Sequence, residues 1–132
     1  MQQVVEDIPK RYQHYMQSWL IDPNKMNLKQ NNMLSAYLEF SMRPTVAITK
    51  QLIAIGNDPS NVDSDGDTVL HCALVNPFCD LAIVEMLFEA APESFYVFNY
   101  EYENPLMKYV EKNRCKPEIT GFLISKTKSL LS

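Results

Sequence analysis

Apolar positions along this chain fall into short stripes at helical spacing, separated by polar turns, and the stripes return at a fixed interval. Setting Leu34, Leu70 and Leu106 in one column, 36 residues apart, aligns residues 32–38, 68–74 and 104–110. The column before each stripe holds Asn32, Thr68 and Asn104, whose side chains accept hydrogen bonds from the unpaired amides of a first helical turn. Pro105 falls at the first helical position, where its missing N–H costs nothing. Tyr37, Ala73 and Tyr109 follow three residues after each leucine and complete an apolar face. A second set of stripes aligns residues 46–53, 81–88 and 117–124. Thr45 and Asp80 precede the first two as good caps, whereas Lys116 is a poor one. Each unit therefore reads as helix, short loop, longer helix and extended turn. A unit of this size cannot bury its own apolar face, but three stacked units can share one core.

The richest junction runs from Gly56 to Leu74, where a helix-stopping glycine leads through a long polar turn to the Thr68 cap. Before the first unit, Ile8, Tyr12, Tyr15, Met16 and Trp19 sit at helical spacing between Pro9 and the breaker Asp22-Pro23-Asn24. Residues 7–21 are predicted to form a capping helix that covers the flank of the first repeat, and 24–30 the turn into it. The expected organisation is a cap and turn over 1–30, then a repeat domain over 31–132 with units at about 31–61, 62–97 and 98–128. Lys126, Lys128 and Ser129 make the last turn polar, as expected where a stack stops.

Charge distribution refines this picture more than the net value of −4 does. Residues 61–100 contain Asp63, Asp65, Asp67, Asp80, Glu85, Glu89 and Glu93 and no Lys or Arg. Such a segment repels phosphate and attracts cations or basic peptides, which argues against a nucleic-acid face. Cys72, Cys79 and Cys115 are odd in number and widely spaced, and with only His14 and His71 beside them no zinc pattern emerges. Reduced thiols, no secretory h-region and no long apolar run lead us to expect a cytoplasmic or nuclear protein without a membrane span.

Several of these residues carry a resemblance. Gly56-x-Asp58-Pro59, followed by Asp63-x-Asp65-Gly66-x-Thr68-x-Leu70-His71-x-Ala73, is very similar to the ankyrin-repeat motif. The flanking units share only its apolar and cap columns; the third has Asn104-Pro105-Leu106-Met107 where the motif has Thr-Pro-Leu-His. The resemblance covers about residues 31–127. It implies an all-α solenoid of about three helix-pair repeats with β-turn fingers, and a role in protein binding rather than catalysis. More narrowly, Asp65-Gly66-Asp67-Thr68-Val69-Leu70-His71-Cys72-Ala73-Leu74 resembles a repeat of IκB-type inhibitors, which cover basic segments of Rel/NF-κB transcription factors. The Leu38, Tyr109 and Asn104-Pro105-Leu106 variants also look like divergent poxvirus-type ankyrin proteins, which commonly recruit ubiquitin ligases through a C-terminal F-box-like segment not found in these residues. A structural subunit of a larger assembly is a third expectation.

Candidate chemistry is sparse. Counted as an EF-hand from Asp63, the acidic turn offers Thr68 and Leu74 where glycine and glutamate are needed, so neither a metal nor another cofactor is expected. In the ankyrin motif the His71 position bridges neighbouring turns, and no second histidine or oxyanion loop suggests catalysis. Cys72 is expected on the exposed side of its helix and Cys79 in an inter-helix loop. Tyr96, Tyr100, Tyr102 and Tyr109 are expected around one finger, as binding anchors or packing groups. By the motif's register, the partner-binding positions are Ser64, Asp65, Asp67, Val75 and Asn76 in the second unit. Those in the third are Tyr100, Glu101, Glu103, Glu111 and Lys112. The expected partner is a protein with a basic or mixed-charge segment.

Overall fold

The computed structural model describes residues 2–27, 30–112 and 116–131. Among the described residues eight α-helices run in chain order: α1 Gln2–Glu6, α2 Lys10–Ile21, α3 Met33–Phe40, α4 Val46–Ala54, α5 Val69–Leu74, α6 Leu81–Ala90, α7 Pro105–Lys112 and α8 Pro117–Leu131. A 3₁₀ turn over Pro92–Tyr96 follows α6. Among the described residues there is no strand; an isolated antiparallel bridge joins Val62 to Thr68. The chain is therefore all-α, with each unit's first helix shorter than its second.

The caps form where side-chain chemistry places them. Asn32 and Asn104 accept the amides of Ser35 and Met107 at 2.9 Å, and Thr68 accepts that of His71 at 3.2 Å. Thr45 and Asp80 cap α4 and α6 in the same way, through the amides of Ile48 and Ile83. Lys116 cannot serve α8 as an acceptor. Its amide instead donates to the buried Tyr109 hydroxyl at 2.6 Å, just as Thr45 N–H donates to Tyr37 at 2.8 Å two repeats earlier. Ala73 occupies that column in the middle unit and has no hydroxyl to offer; in the loop before α6, Asn76 accepts the Phe78 amide. α4 ends in a Schellman motif: Gly56, at φ +115°, donates to Ile53 O and Asn57 to Leu52 O.

The helix pairs stack in two layers. In one layer α3 packs on α5 and α5 on α7; in the other α4 packs on α6 and α6 on α8. Leu34, Leu52, Leu70, Ile83, Tyr109 and Leu123 belong to the single core that runs through both. Asn76 ties units together, its amide donating to Leu38 O and Ser41 O at 2.9 and 2.8 Å, which satisfies carbonyls at the end of α3.

The N-terminal cap differs from the single helix predicted over 7–21. It consists of two helices, because Pro9 disfavours helical backbone at Ile8 and α2 starts only after it. Val4, Val5 and Ile8 are buried with Met16 and Trp19, so α1 adds to the apolar cover. Met42 N–H donates to Asp7 O at 2.7 Å and pins this cap to the loop after α3. Cys115, and the side chains of Tyr15, Lys128 and Ser129, lie outside the described residues.

Candidate partner-binding face

The fingers between helix pairs are built from one repeated device. Asn27, Asp63 and Asn99, spaced 36 apart, each fold back their side-chain oxygen onto amides ahead. Asn27 accepts the amide of Asn31; Asp63 accepts those of Asp65 and Asp67; Asn99 accepts those of Glu101 and Glu103, all at 2.9–3.0 Å. Short polar side chains bond readily to backbone amides two to four residues on, which is why this column holds only Asn and Asp. The chain then turns through left-handed backbone at Gln30, Gly66 and Tyr102, with φ of 62°, 80° and 64°. Only the middle position must be glycine. A Cβ at Gly66 would lie 2.9 Å from Tyr100 N, because the third finger crosses directly over it.

Side chains and backbone fuse the fingers into one edge. Asn31 donates to Asp63 Oδ2 at 3.2 Å, and Asn99 donates to Asp67 Oδ1 at 2.9 Å. Tyr100 N–H donates to Asp65 O at 3.0 Å. His71, fully buried, joins the second and third units. Its Nδ1 accepts the Thr68 amide at 3.0 Å, so the ring proton sits on Nε2, which donates to Glu103 O at 2.9 Å. Burial pushes the His71 pKa below its ordinary 6.5 and keeps the ring neutral.

These bonds divide the sequence-predicted binding residues in two. Ser64, Asp65, Tyr100, Glu101, Glu111 and Lys112 are exposed and Val75 is half-buried. Asp67, Asn76 and Glu103 are buried and make internal bonds, which corrects their assignment to the binding surface. Asp67 Oδ2 meets Lys108 Nζ at 2.5 Å. Burial alone would lower the Lys108 pKa, but the Asp67 hydrogen bond and charge outweigh it and leave it raised. Glu103 bonds Asn99 at 3.3 Å, and a hydrogen bond with the Glu111 carboxyl raises its pKa while lowering that of Glu111. Among the tyrosines, Tyr109 is core, whereas Tyr100 and Tyr102 are 74% and 81% exposed and Tyr96 is half-exposed.

The acidic turn is committed to structure. Carboxylate oxygens of Asp63, Asp65 and Asp67 lie within 4.8 Å of one another. Those of Asp63 and Asp67, however, are engaged by amides, Asn31, Asn99 and Lys108. Cys72 is buried and not on an exposed face; burial pushes its thiol well up, and Cys79 is pushed up to about 12. Neither carries thiolate at neutral pH, so neither is a ready nucleophile.

A groove of about 650 Å³ between α2 and α3 was not anticipated from the sequence. Tyr12 and Phe40, stacked at 4.3 Å between centroids, form part of its wall together with Met16, Trp19 and Met26. The helical spacing of Tyr12, Met16 and Trp19 was the available signal, but it reads equally well as a stripe packed without space. Lys50, Ile53, Met86 and Glu89 line a shallower depression between α4 and α6. No protein-family model and no curated protein sequence matches this chain. No helix among the described residues is long and apolar enough to cross a membrane.

Proposed function

We propose that this chain is a non-enzymatic protein-binding module of the ankyrin-repeat type that captures a basic or mixed-charge segment of its partner along the fused edge of the second and third fingers. The observation that carries this reading is the Tyr100 N–H to Asp65 O bond. It welds two fingers into one edge whose exposed side chains include Ser64, Asp65, Tyr100, Glu101 and Tyr102. Rigid tyrosines give contact area at small entropic cost, and acidic groups steer a cationic partner. The 36-residue recurrence of finger bonds, caps and left-handed tips supports the ankyrin-type reading. An IκB-like inhibitor that covers a basic segment of a Rel/NF-κB-type factor is the narrower form of the proposal.

Asp67 holds Lys108 and is unsuitable for charge reversal, so the test uses the exposed acids. Asp65→Lys combined with Glu101→Lys should slow association with a basic nuclear-localisation-type peptide about tenfold and flatten its salt dependence. Unchanged association and an unchanged salt slope would sink the proposal.

A further inference from the structure

The third finger holds aromatic rings out to solvent. Tyr100 and Tyr102 are 74% and 81% exposed, and Glu101 between them is exposed as well. Tyr102 stands at the left-handed tip with φ 64°, the position that Gly66 fills in the second finger. Glycine adopts that backbone freely, whereas a bulky side chain is strained there. A ring so exposed recovers little of that strain through contacts, so packing does not account for a tyrosine at this tip.

Tyr100 is held differently. Its N–H donates to Asp65 O, and a Cβ on Gly66 would lie 3.0 Å from its Cδ1, so the ring is seated against the glycine of the second finger. That seat fixes it beside Asp65, whose side chain is also exposed. Charge along these fingers has one sign. No Lys or Arg lies between Lys50 and Lys108, and Asp67 takes up the Lys108 charge. An acidic surface by itself attracts either cationic residue and repels phosphate. A tyrosine face adds a preference, because a guanidinium is planar, weakly hydrated and able to stack while its N–H fork bonds a carboxylate.

We propose, on the reading that the finger edge is the binding site, that the captured segment is arginine-based. Its guanidinium groups stack on Tyr100 and Tyr102 while their N–H groups bond the carboxylates of Asp65 and Glu101. Lysine satisfies the carboxylates but has no plane to lay on the rings, so the rings select between two peptides of equal charge.

The test uses labelled peptides of equal length and charge, one alternating Arg with Ser and the other Lys with Ser, read by fluorescence anisotropy on the full chain. The arginine peptide should bind about tenfold tighter than the lysine peptide. Tyr100→Leu combined with Tyr102→Asn should bring that ratio to about twofold or less, and asparagine tolerates the left-handed tip. Glu101→Gln should weaken both peptides. Circular dichroism checks that each variant folds; if the double variant does not, Tyr102→Asn alone, at the exposed tip, should still lower the ratio to about threefold. Equal binding of the two peptides would overturn the arginine assignment and leave the finger edge standing as the site, whereas binding of neither would overturn both. An arginine preference that survives loss of both rings in folded protein would also overturn the assignment, as would tighter binding of an uncharged proline-rich peptide.

Discussion

At the scale of single residues, the buried polar groups carry the most information. His71 is fixed as the neutral ring by the Thr68 amide at Nδ1, and Nε2 binds the carbonyl of the next unit. Its folded pKa lies below 6.5, so the unfolded chain takes up the proton more readily. That contribution to stability is complete above about pH 6.5 and is lost as pH falls from there. Thermal unfolding midpoints measured at descending pH should show this loss before the carboxylates titrate. His71→Asn should lower stability by about 1–3 kcal/mol at neutral pH and remove this first acid-sensitive step. Asp67 makes a complementary case. Asp67→Ala strands the largely buried Lys108 ammonium and should cost about 2–4 kcal/mol in denaturant unfolding, whereas Asp65→Ala on the exposed finger should change stability little. His71's bridging role was legible through its resemblance to a motif. The inward turn of Asp67, Asn76 and Glu103 was not, because each is buried by a neighbouring unit about 35 residues away or by a finger that folds back on itself.

At the scale of elements, helix starts were legible because a cap is a local contract between one side chain and an amide three residues ahead. Asn32, Thr45, Thr68, Asp80 and Asn104 all fulfil it. The two-helix form of the N-terminal cap was missed because Val4 and Val5 give too short a stripe to declare a helix alone. Glycine has opposite meanings in two elements. Gly66→Ala forces a Cβ to within 2.9 Å of Tyr100 N at φ +80° and should destabilise by about 1–3 kcal/mol. Gly121→Ala, within α8 and facing open space, should stabilise by about 0.5–1 kcal/mol. Calorimetry on the two variants should give midpoint shifts of opposite sign; equal signs would contradict the finger-crossing geometry.

For the whole molecule, asymmetry between the ends matters most. Trp19 is fully buried in the shared core and donates its Nε1–H to Lys25 O in the turn after α2, which fixes the indole that joins the cap to the repeats. Trp19→Ala should cost about 3–5 kcal/mol and should expose the first helix pair to early hydrogen exchange. At the opposite end, Met107 and Val110 of α7 are exposed, where their equivalents in α3 and α5 are buried. The sequence by itself determined the repeat period, the helix starts from α3 onward, their caps and the shared core, since these follow from local hydrogen bonding and apolar spacing. Only the tertiary structure decided which polar residues face inward, that Cys72 is buried, that α2 and α3 leave a groove, and which apolar side chains stay uncovered. Burial in a stacked architecture is set by the neighbouring unit, and that neighbour lies far away along the chain.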